Sequence, residues 1–331
     1  MLETRLMLET EPALLRLENV RKYFPIGGIL PFSGGRGAVR AVDGVSFELR
    51  PHETFSLVGE SGCGKTTTAK MVLRLERPTG GRITYGGQDI RRLRGQSLRR
   101  YHSSVQAVFQ DPWSSLNPRM RAGGIVAEPL VVNLKLTRKE VRDRVAELLV
   151  AVGLDPSRAG DFPHEFSGGM RQRLAVARAL ALHPSLIVLD EPVSALDVSI
   201  RAQIMNLLKD LQEQYGMAYL LIAHNLATVR YLSHTVAVMY LGEIVESAPA
   251  EELFTNPMQP YTKALISAAV PVRPGEQRAE ILLSGDLPSP TNPPPGCRFH
   301  TRCPFAFERC PVEVPPLREV SPGHMVACHL V

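Results

Sequence analysis

Long hydrophobic runs are missing from this sequence. No stretch approaches the roughly 18 consecutive apolar residues that a membrane-spanning helix needs. A signal peptide is not evident either, because the N-terminal segment MLETRLMLETEPALL has acidic side chains where such a peptide has an apolar core. No internal repeat is present, which favours one unit over a tandem pair. From these absences we expect a chain that stays in the cytosol.

A strong excess of charge is also missing. The formal net charge is +5 and the isoelectric point is about 9.0, but the basic residues are dispersed except in RRLRGQSLRR at 91–100. Dispersed charge does not favour a nucleic-acid partner, and we expect none. We interpret the basic run first as the solvent-exposed face of a helix. A surface that faces anionic lipid or nucleotide is the alternative.

Short apolar runs alternate with helix-like segments between residues 53 and 240, which predicts an α/β fold with a largely parallel sheet. Three of these runs are typical of buried central strands, and they lie at 54–59, 185–192 and 217–225. Turn-forming or acidic residues follow each run. The sequence therefore places its polar motifs at the ends of buried strands.

A second, antiparallel sheet is predicted beside this core. Residues 14–20 and 39–49 alternate as half-buried strands, and 235–248 predict a hairpin that turns at Leu241-Gly242. A glycine-rich insertion separates the first two of these strands between Pro25 and Arg40. We expect these segments to form an antiparallel β subdomain.

Composition shifts to a helical subdomain at about 111–180. Within it, the helix predicted at 141–154 has one apolar face, formed by Val145, Leu148, Leu149 and Val152. Beyond residue 257 the chain becomes irregular, and LPSPTNPPPG at 287–296 is a proline-rich linker that cannot continue a helix or central strand. We therefore place a domain at 1–257 and a small cysteine-containing C-terminal extension at 258–331.

A complete phosphate-loop motif follows the first central strand. GESGCGKT at 59–66 matches G-x-x-x-x-G-K-[ST] and precedes the helix-like TTTAKMVLRL. Its glycines allow backbone N–H groups to surround phosphate oxygens, and the positive end of the helix faces them. Lys65 would bridge the β- and γ-phosphates of ATP, and Thr66 would ligate Mg²⁺. We interpret Cys63 as a small filler and not as a nucleophile. The predicted nucleotide-binding residues of this loop are Gly59, Glu60, Ser61, Gly62, Cys63, Gly64, Lys65, Thr66 and Thr67.

Two adjacent acids end the second central strand. Asp190 can reach the shell of the Mg²⁺ ion, and Glu191 can polarise an attacking water. Their alternative role is to cap a following helix. Because a complete phosphate loop is present, the hydrolytic role is the better hypothesis.

The segment FSGGMRQRLAVARAL at 166–180 resembles the signature of the ABC ATPases. Ser167 can cap the helix, while Gly168 and Gly169 leave backbone N–H groups uncovered as a second anion-binding terminus. In the ABC family two such domains dimerise head to tail, and the signature of one closes over ATP held by the loop of the other. Met170 stands where the common signature has glutamine.

Further ABC elements occur in the family's order, and the resemblance implies their roles. Gln110 would sense Mg²⁺ and the attacking water, and Asp197 of the SALD segment would belong to the dimer-contact loop. His224 would touch the γ-phosphate. Phe24 would stack on adenine, with Tyr23 as the close alternative. The resemblance thus implies Glu191, His224 and Gln110 as catalytic residues, Thr66 and Gln110 as Mg²⁺ contacts, and a RecA-like core.

Several segments resemble the ATPase subunits of oligopeptide and dipeptide ABC importers, among them VFQDPWSSLNPRM at 108–120 and NPMQPYTKALISAAVP at 256–271. The resemblance implies a peripheral protein at the cytoplasmic face of the bacterial inner membrane. It also implies a dimer with a sister ATPase, two membrane permeases and an extracytoplasmic substrate-binding protein. The cargo stays open among dipeptides, longer peptides, nickel chelates and some sugars.

Cysteine is scarce, and four of the 5 cysteines follow residue 296. In a reducing cytosol this grouping favours a metal or cluster site over disulfides. The spacing contains no C-x₂₋₄-C pair of the zinc-ribbon type, and four thiolates suit a [4Fe–4S] cluster, which the resemblance also implies. Zinc and simple buried thiols remain alternatives. The expected cluster ligands are Cys297, Cys303, Cys310 and Cys328, and the histidines that would serve zinc are His300, His324 and His329.

Two other classes of function use the same nucleotide motifs. An ABC ATPase that acts on nucleic acid or the ribosome usually has tandem domains, a long coiled coil or a zinc insertion in the core, and none of these patterns occurs here. A nucleotide-dependent regulatory module without transport is the third possibility.

Overall fold

The computed structural model describes residues 12–26, 37–268, 281, 283 and 285–331. Most of the predicted glycine-rich insertion and the N-terminal segment therefore lie outside the described residues. The chain divides into two compact units. We name the described part of one, residues 12–49, 54–91 and 222–331, the phosphate-loop unit, and that of the other, 50–53 and 92–221, the signature unit.

The described residues form twelve strands and ten α-helices. The strands are β1 (Leu15–Pro25), β2 (Ala38–Leu49), β3 (Thr54–Val58), β4 (Gly80–Tyr85), β5 (Gln88–Asp89), β6 (Val105–Val108), β7 (Leu186–Asp190), β8 (Ala218–Ile222), β9 (Thr235–Tyr240), β10 (Glu243–Pro249), β11 (Arg318–Ser321) and β12 (His324–Val326). The helices are α1 (Lys65–Val72), α2 (Gly95–Ser104), α3 (Pro112–Ser115), α4 (Ala122–Asn133), α5 (Arg138–Ala151), α6 (Gly168–Leu180), α7 (Val198–Tyr215), α8 (Leu226–Leu232), α9 (Ala250–Thr255) and α10 (Pro260–Ser267). Among the described residues, none of the helices is both long enough and apolar enough to cross a membrane.

An antiparallel sheet with the strand order β2-β1-β4-β5 lies in the phosphate-loop unit. Strand β1 pairs with β2 and with β4, and its alternating pattern buries Leu15 and Leu17 on one face, while an irregularity in the pairing separates them from the buried Val20. The strands predicted at 14–20 and 39–49 are therefore confirmed as antiparallel partners, whereas the hairpin predicted at 235–248 does not join this sheet, so that part of the prediction is wrong.

A mixed sheet in the same unit has the order β11-β12-β10-β9-β3. Strands β3 and β9 are parallel, whereas β9 and β10 form the predicted hairpin, in which Leu241 and Gly242 both have positive φ. Strands β11 and β12 come from the C-terminal extension and pair with each other and with β10. Sequence analysis did not predict these two strands, because they are short and follow a proline-rich segment.

Parallel strands and helices make up the signature unit. Strands β6 and β7 are parallel, with β8 on the other side of β7. In α5 the predicted apolar face is buried at Val145, Leu148 and Leu149. The helix starts at Arg138, because Thr137 and Glu140 form a capping box, and it ends at Ala151, before Gly153 takes φ +70°.

The basic run contributes the start of α2. Its arginines are all exposed, which agrees with a solvent-facing surface; they are Arg91, Arg92, Arg94, Arg99 and Arg100. Parallel and antiparallel sheets with packed helices confirm the predicted α/β class. The division into 1–257 and 258–331 stays a prediction. The described extension belongs to the same compact unit as the phosphate loop.

Candidate active site

The phosphate loop connects β3 to α1 and depends on two glycines. Gly59 has φ +145° and Gly64 has φ +111°, which are backbone conformations that L side chains rarely adopt. A Cβ atom would lie 2.2 Å from the carbonyl oxygen of Met239 at Gly59, and 2.2 Å from that of Ala41 at Gly64. The loop therefore follows a path that only glycine allows at these positions.

Lys65 is held against this loop at the start of α1. Its side chain is largely buried, and Nζ donates hydrogen bonds to the carbonyl oxygens of Gly59 at 2.7 Å and Glu60 at 3.0 Å. Its ammonium group thus lies beside the backbone that the motif predicts to surround phosphate. Thr66 follows in the first turn of α1 and is exposed.

Cys63 lies inside the loop. Its Sγ is 3.7 Å from Lys65 Nζ, and burial raises the pKa of the thiol above its ordinary value. A thiol with a raised pKa stays protonated at neutral pH and is a poor nucleophile. These contacts support the interpretation of Cys63 as a filler.

The candidate adenine-stacking residues lie near the end of β1. The Tyr23 hydroxyl donates a hydrogen bond to Asp43, whereas the Phe24 ring is half-buried with Lys22 Nζ 4.6 Å from its centroid. A hydroxyl held by Asp43 fixes the Tyr23 ring in place. This arrangement favours Phe24 over Tyr23 as the stacking residue.

The two acids lie where β7 ends in the signature unit. Glu191 has φ +49°, an uncommon conformation for a residue with a side chain, and its carbonyl oxygen accepts hydrogen bonds from the N–H and Oγ of Ser194. Gln110 Nε2 donates to Glu191 Oε2 at 2.8 Å. The structure thus brings together two predicted catalytic residues that are 81 positions apart. Asp190, immediately before Glu191, is the last residue of β7.

The signature segment begins α6. Ser167 is its N-cap, and Ser167 Oγ accepts a hydrogen bond from the N–H of Met170 at 3.4 Å. A Cβ at Gly169 would lie 2.5 Å from Cγ2 of Ile200, so glycine permits the close packing of α6 on α7. Gly168 and Gly169 occupy the first turn, and the N–H groups of a first turn have no acceptor within the helix.

Met170, the departure from the common signature, packs within its own unit. Its sulfur accepts a hydrogen bond from Arg158 Nη1 at 3.5 Å. The backbone of the first turn is helical despite the substitution. Methionine at this position therefore preserves the shape of the helix terminus.

Two further predicted residues are exposed. His224 follows β8 in the phosphate-loop unit, just before Asn225 caps α8. Asp197 is the N-cap residue of α7 in the signature unit. Their roles toward the γ-phosphate and the second ATPase stay predictions.

The phosphate loop is also contacted by side chains from the C-terminal part of the chain, which the sequence patterns do not predict. Arg302 Nη1 and Nη2 donate to the carboxylate of Glu60 at 2.8 and 3.1 Å, and Tyr261 Oη accepts the N–H of Glu60 at 2.8 Å. Arg298 donates to the carbonyl oxygen of Leu241 and to Asp43. No local pattern reveals these contacts, because Arg302 is 242 positions from Glu60 and Arg298 is 255 positions from Asp43.

The tail cysteines are close enough to affect one another electrostatically. Burial raises the pKa of Cys297 to about 11, and the other three cysteines raise it as well. The backbone of a nearby residue lowers the pKa of three of these thiols, against the larger effect of burial. Phe299 has this effect on Cys297, Phe305 on Cys303 and Leu330 on Cys328.

A metal site is nevertheless not formed by these side chains. Within the described ranges, no group of three or more histidine, cysteine, aspartate or glutamate side chains is arranged to hold a metal ion. The expected iron–sulfur cluster is therefore not supported by the side-chain arrangement.

The histidines that would serve zinc have protein partners instead. His324 Nε2 lies 2.7 Å from Glu246 Oε1, His300 Nδ1 lies 2.8 Å from the carbonyl oxygen of Cys297, and His329 Nε2 lies 2.8 Å from that of Glu313. Each of these hydrogen bonds uses one ring nitrogen, and metal-ligating histidines make the same kind of contact with their second nitrogen. These contacts therefore leave the zinc alternative open.

Comparison with known families and structures agrees with the fold and with the motifs described above. The ABC transporter family matches residues 42–194, and the C-terminal region of oligopeptide/dipeptide transporters matches residues 245–310. A part of the ABC transporter complex cbiONQ from Clostridium perfringens superposes with a TM-score of 0.64 at 26% identity, covering 74% of this chain and 92% of that one. A dimeric ATP-binding cassette bound to ADP and Pi gives a TM-score of 0.63 at 28% identity, with coverages of 71% and 98%.

Characterised relatives extend over nearly the whole chain. The oligopeptide transport ATP-binding protein AppF of Bacillus subtilis is 51% identical over 324 residues, which are 97% of this chain and 98% of AppF. The dipeptide transport ATP-binding protein DppF of Escherichia coli is 44% identical over 320 residues, with coverages of 96% and 94%. The chain therefore belongs to the ABC transporter ATPases, and within them to the family of oligopeptide and dipeptide transport ATP-binding proteins.

Proposed function

We propose that this chain hydrolyses ATP to drive the import of dipeptides or oligopeptides through a membrane ABC transporter. The observation that carries the proposal is the loop at 59–66, whose glycine-dependent path and buried Lys65 suit the phosphates of a nucleotide. Peptide as cargo is supported by relatives that are similar over more than nine-tenths of the chain and are named as peptide transport proteins.

Each predicted residue has a role in this reaction. Lys65 and the loop N–H groups bind the phosphates, while Thr66 and Asp190 would hold Mg²⁺, which would offset the negative charge of the phosphates. Glu191 accepts a proton from the attacking water, and Gln110, which hydrogen-bonds Glu191 at 2.8 Å, orients that carboxylate. Phe24 stacks on adenine, and His224 contacts the γ-phosphate.

Hydrolysis requires a second ATPase, because the signature and the phosphate loop of one chain serve different nucleotides. The Ser167 cap and the first turn of α6 supply N–H groups for the γ-phosphate of ATP held by the partner. Asp197 lies in the segment that contacts that partner. Closure of the two domains on ATP moves two permeases, and an extracytoplasmic binding protein delivers the peptide. The chain acts at the cytoplasmic face of the bacterial inner membrane.

We also propose that the four tail cysteines bind a [4Fe–4S] cluster as thiolates. The number and type of donors support this, since four cysteines supply the thiolate set of such a cluster. Their side chains would have to rearrange on binding, because they do not form a metal site in the described residues. Protein purified without oxygen should have broad visible absorption and about four irons per chain, both lost in Cys303→Ser. A colourless protein with stoichiometric zinc would contradict the cluster.

Transport is tested in the assembled complex. The permeases, this ATPase with its sister subunit, and the binding protein are reconstituted in vesicles with labelled di- and oligopeptides. We expect ATP-dependent uptake that Lys65→Ala and Glu191→Gln abolish. Mass spectrometry of the ligand carried by the binding protein identifies the cargo. Peptide-free binding protein carrying a sugar or a nickel chelate would overturn the peptide assignment and leave the ATPase intact.

A further inference from the structure

An ion pair joins the cysteine-containing extension to the phosphate loop inside one compact unit. Both terminal nitrogens of Arg302 donate to the two carboxylate oxygens of Glu60, at 2.8 and 3.1 Å. The Arg302 side chain is 9% exposed and that of Glu60 is 28% exposed. A two-point Arg–carboxylate contact at this level of burial fixes orientation as well as charge. Glu60 is the second residue of the phosphate loop.

Arg302 is itself held in place by an aromatic cluster. Its backbone N–H donates to the carbonyl oxygen of Phe299, and the Phe299 ring packs against Tyr240 and Tyr261 at centroid distances of 5.3 and 5.4 Å. Tyr261 in turn accepts the backbone N–H of Glu60 at 2.8 Å. The main chain and the side chain of Glu60 are therefore both bound by residues that lie beyond position 257.

A second contact reaches the loop from the same segment. Arg298 donates to the carbonyl oxygen of Leu241 and forms an ion pair with Glu243 at 2.9 Å. Gly242, between those two residues, donates its N–H to the carbonyl oxygen of Cys63 at 2.9 Å. The extension thus supports the loop on the side of Glu60 directly and on the side of Cys63 through the β9–β10 turn.

We propose that Arg302 is a positioning residue for the phosphate loop, through which the C-terminal extension sets the affinity for nucleotide. Two physical effects act together. The guanidinium fixes the start of the loop, and it neutralises a carboxylate that would otherwise repel the phosphates of ATP. Because the side-chain contact of Arg302 is with the phosphate loop, nucleotide binding should depend on it more than the hydrolytic step does. This inference rests on the proposed role of the loop as the ATP site.

The test compares nucleotide binding and turnover in the full-length ATPase paired with its sister subunit. Arg302→Gln should raise the Kd and KM for ATP about tenfold, the size expected for losing hydrogen bonds to a charged group, while kcat stays within about a factor of two. Arg302→Lys restores the charge and one donor, and should give an intermediate Kd. Adding Glu60→Gln to Arg302→Gln removes the unpaired carboxylate, so the double variant should bind ATP more tightly than Arg302→Gln alone.

Arg309→Gln is the matched control. Arg309 lies in the same extension and also makes a two-nitrogen contact with a carboxylate, through Nε and Nη2 to Glu313 at 2.5 and 2.8 Å, but both side chains of this pair are exposed. We expect its Kd for ATP to equal that of the parent protein. Iron and zinc content and the thermal unfolding midpoint are measured for all variants, so that a change of affinity is separated from damage to the extension.

The outcomes separate this inference from the assignment of the ATP site. If Lys65→Ala loses ATP binding while Arg302→Gln binds ATP as tightly as Arg309→Gln, the positioning role is wrong and the site assignment holds. If Lys65→Ala binds ATP normally, the site assignment itself fails. Should Arg302→Gln not fold, Arg302→Lys carries the test, and an unchanged Kd in that variant overturns the proposal.

Discussion

Replacing Gly64 with alanine tests whether the path of the phosphate loop is set by backbone geometry. The residue has φ +111°, and a Cβ would lie 2.2 Å from the carbonyl oxygen of Ala41. A left-handed conformation costs an alanine about 1–2 kcal/mol. Since carbon and oxygen normally stay more than about 3 Å apart, the backbone must also shift, and forced packing of this kind costs about 1–3 kcal/mol. We expect a total destabilisation of about 3 kcal/mol.

Gly86→Ala isolates the steric part of this cost. Gly86 also has positive φ, at +52°, but a Cβ there would meet nothing within 4 Å. This variant should lose only the conformational part, so the two differ by about 2 kcal/mol, or about 4–8 °C in the thermal unfolding midpoint. ATP titration should show that Gly64→Ala loses binding and Gly86→Ala keeps it. Equal midpoints and equal ATP affinities in the two variants would refute the reasoning.

Four further substitutions test separate features of the chain. Phe24→Ala should raise the Kd for ATP about threefold to tenfold, because stacking on adenine is lost. Tyr23→Ala should chiefly lower stability, because Asp43 loses its hydrogen bond from the Tyr23 hydroxyl. If ATP titration shows the larger loss of affinity in Tyr23→Ala, the stacking residue is Tyr23. Glu191→Gln should lower kcat by about 10² to 10⁴ and accumulate an ATP-bound dimer on size exclusion, and normal turnover would exclude Glu191 as the base. Burial raises the pKa of Glu243 to about 6, so the folded state favours its protonated form. The stability that this raised pKa contributes is complete below the unfolded pKa of about 4.3, and it declines as pH rises through about 6. Glu243→Gln should remove this decline. Denaturation profiles that are the same for the variant and the parent protein between pH 4 and 7 would contradict the prediction.

The strands and the motifs at their ends could be predicted because each has a local signal. Buried, largely apolar runs mark β3, β7 and β8; a glycine follows β3, Asp190 and Glu191 lie at the end of β7, and His224 and Asn225 follow β8. The helix predicted at 141–154 begins three residues earlier in the structure, at Arg138, where Thr137 and Glu140 form the S/T-x-x-E pattern that marks a helix start. That boundary error was avoidable from the sequence.

Other features have no local signal at all. The contact of Arg302 with Glu60 joins positions 242 apart, and arginine in a proline-rich tail is ordinarily read as a solvated residue. Cysteine spacing likewise gives the number of thiols and not their arrangement, which depends on backbone turns such as that at Gly296, where φ is +65°. These parts of the site depend on tertiary packing, so a single sequence does not determine them.

The two units differ in what they would contribute to the reaction. In the phosphate-loop unit, the contacts that fix the loop come from its own glycines and, through Arg302 and Tyr261, from the extension. In the signature unit, Glu191 is fixed by Gln110 and by the Ser194 hydrogen bonds to its carbonyl oxygen. Because each set is stabilised within its own unit, changes in the extension should alter affinity, and changes at Gln110 should alter turnover. An extension variant that lowered kcat at unchanged Kd would show instead that the extension acts on the hydrolytic residues.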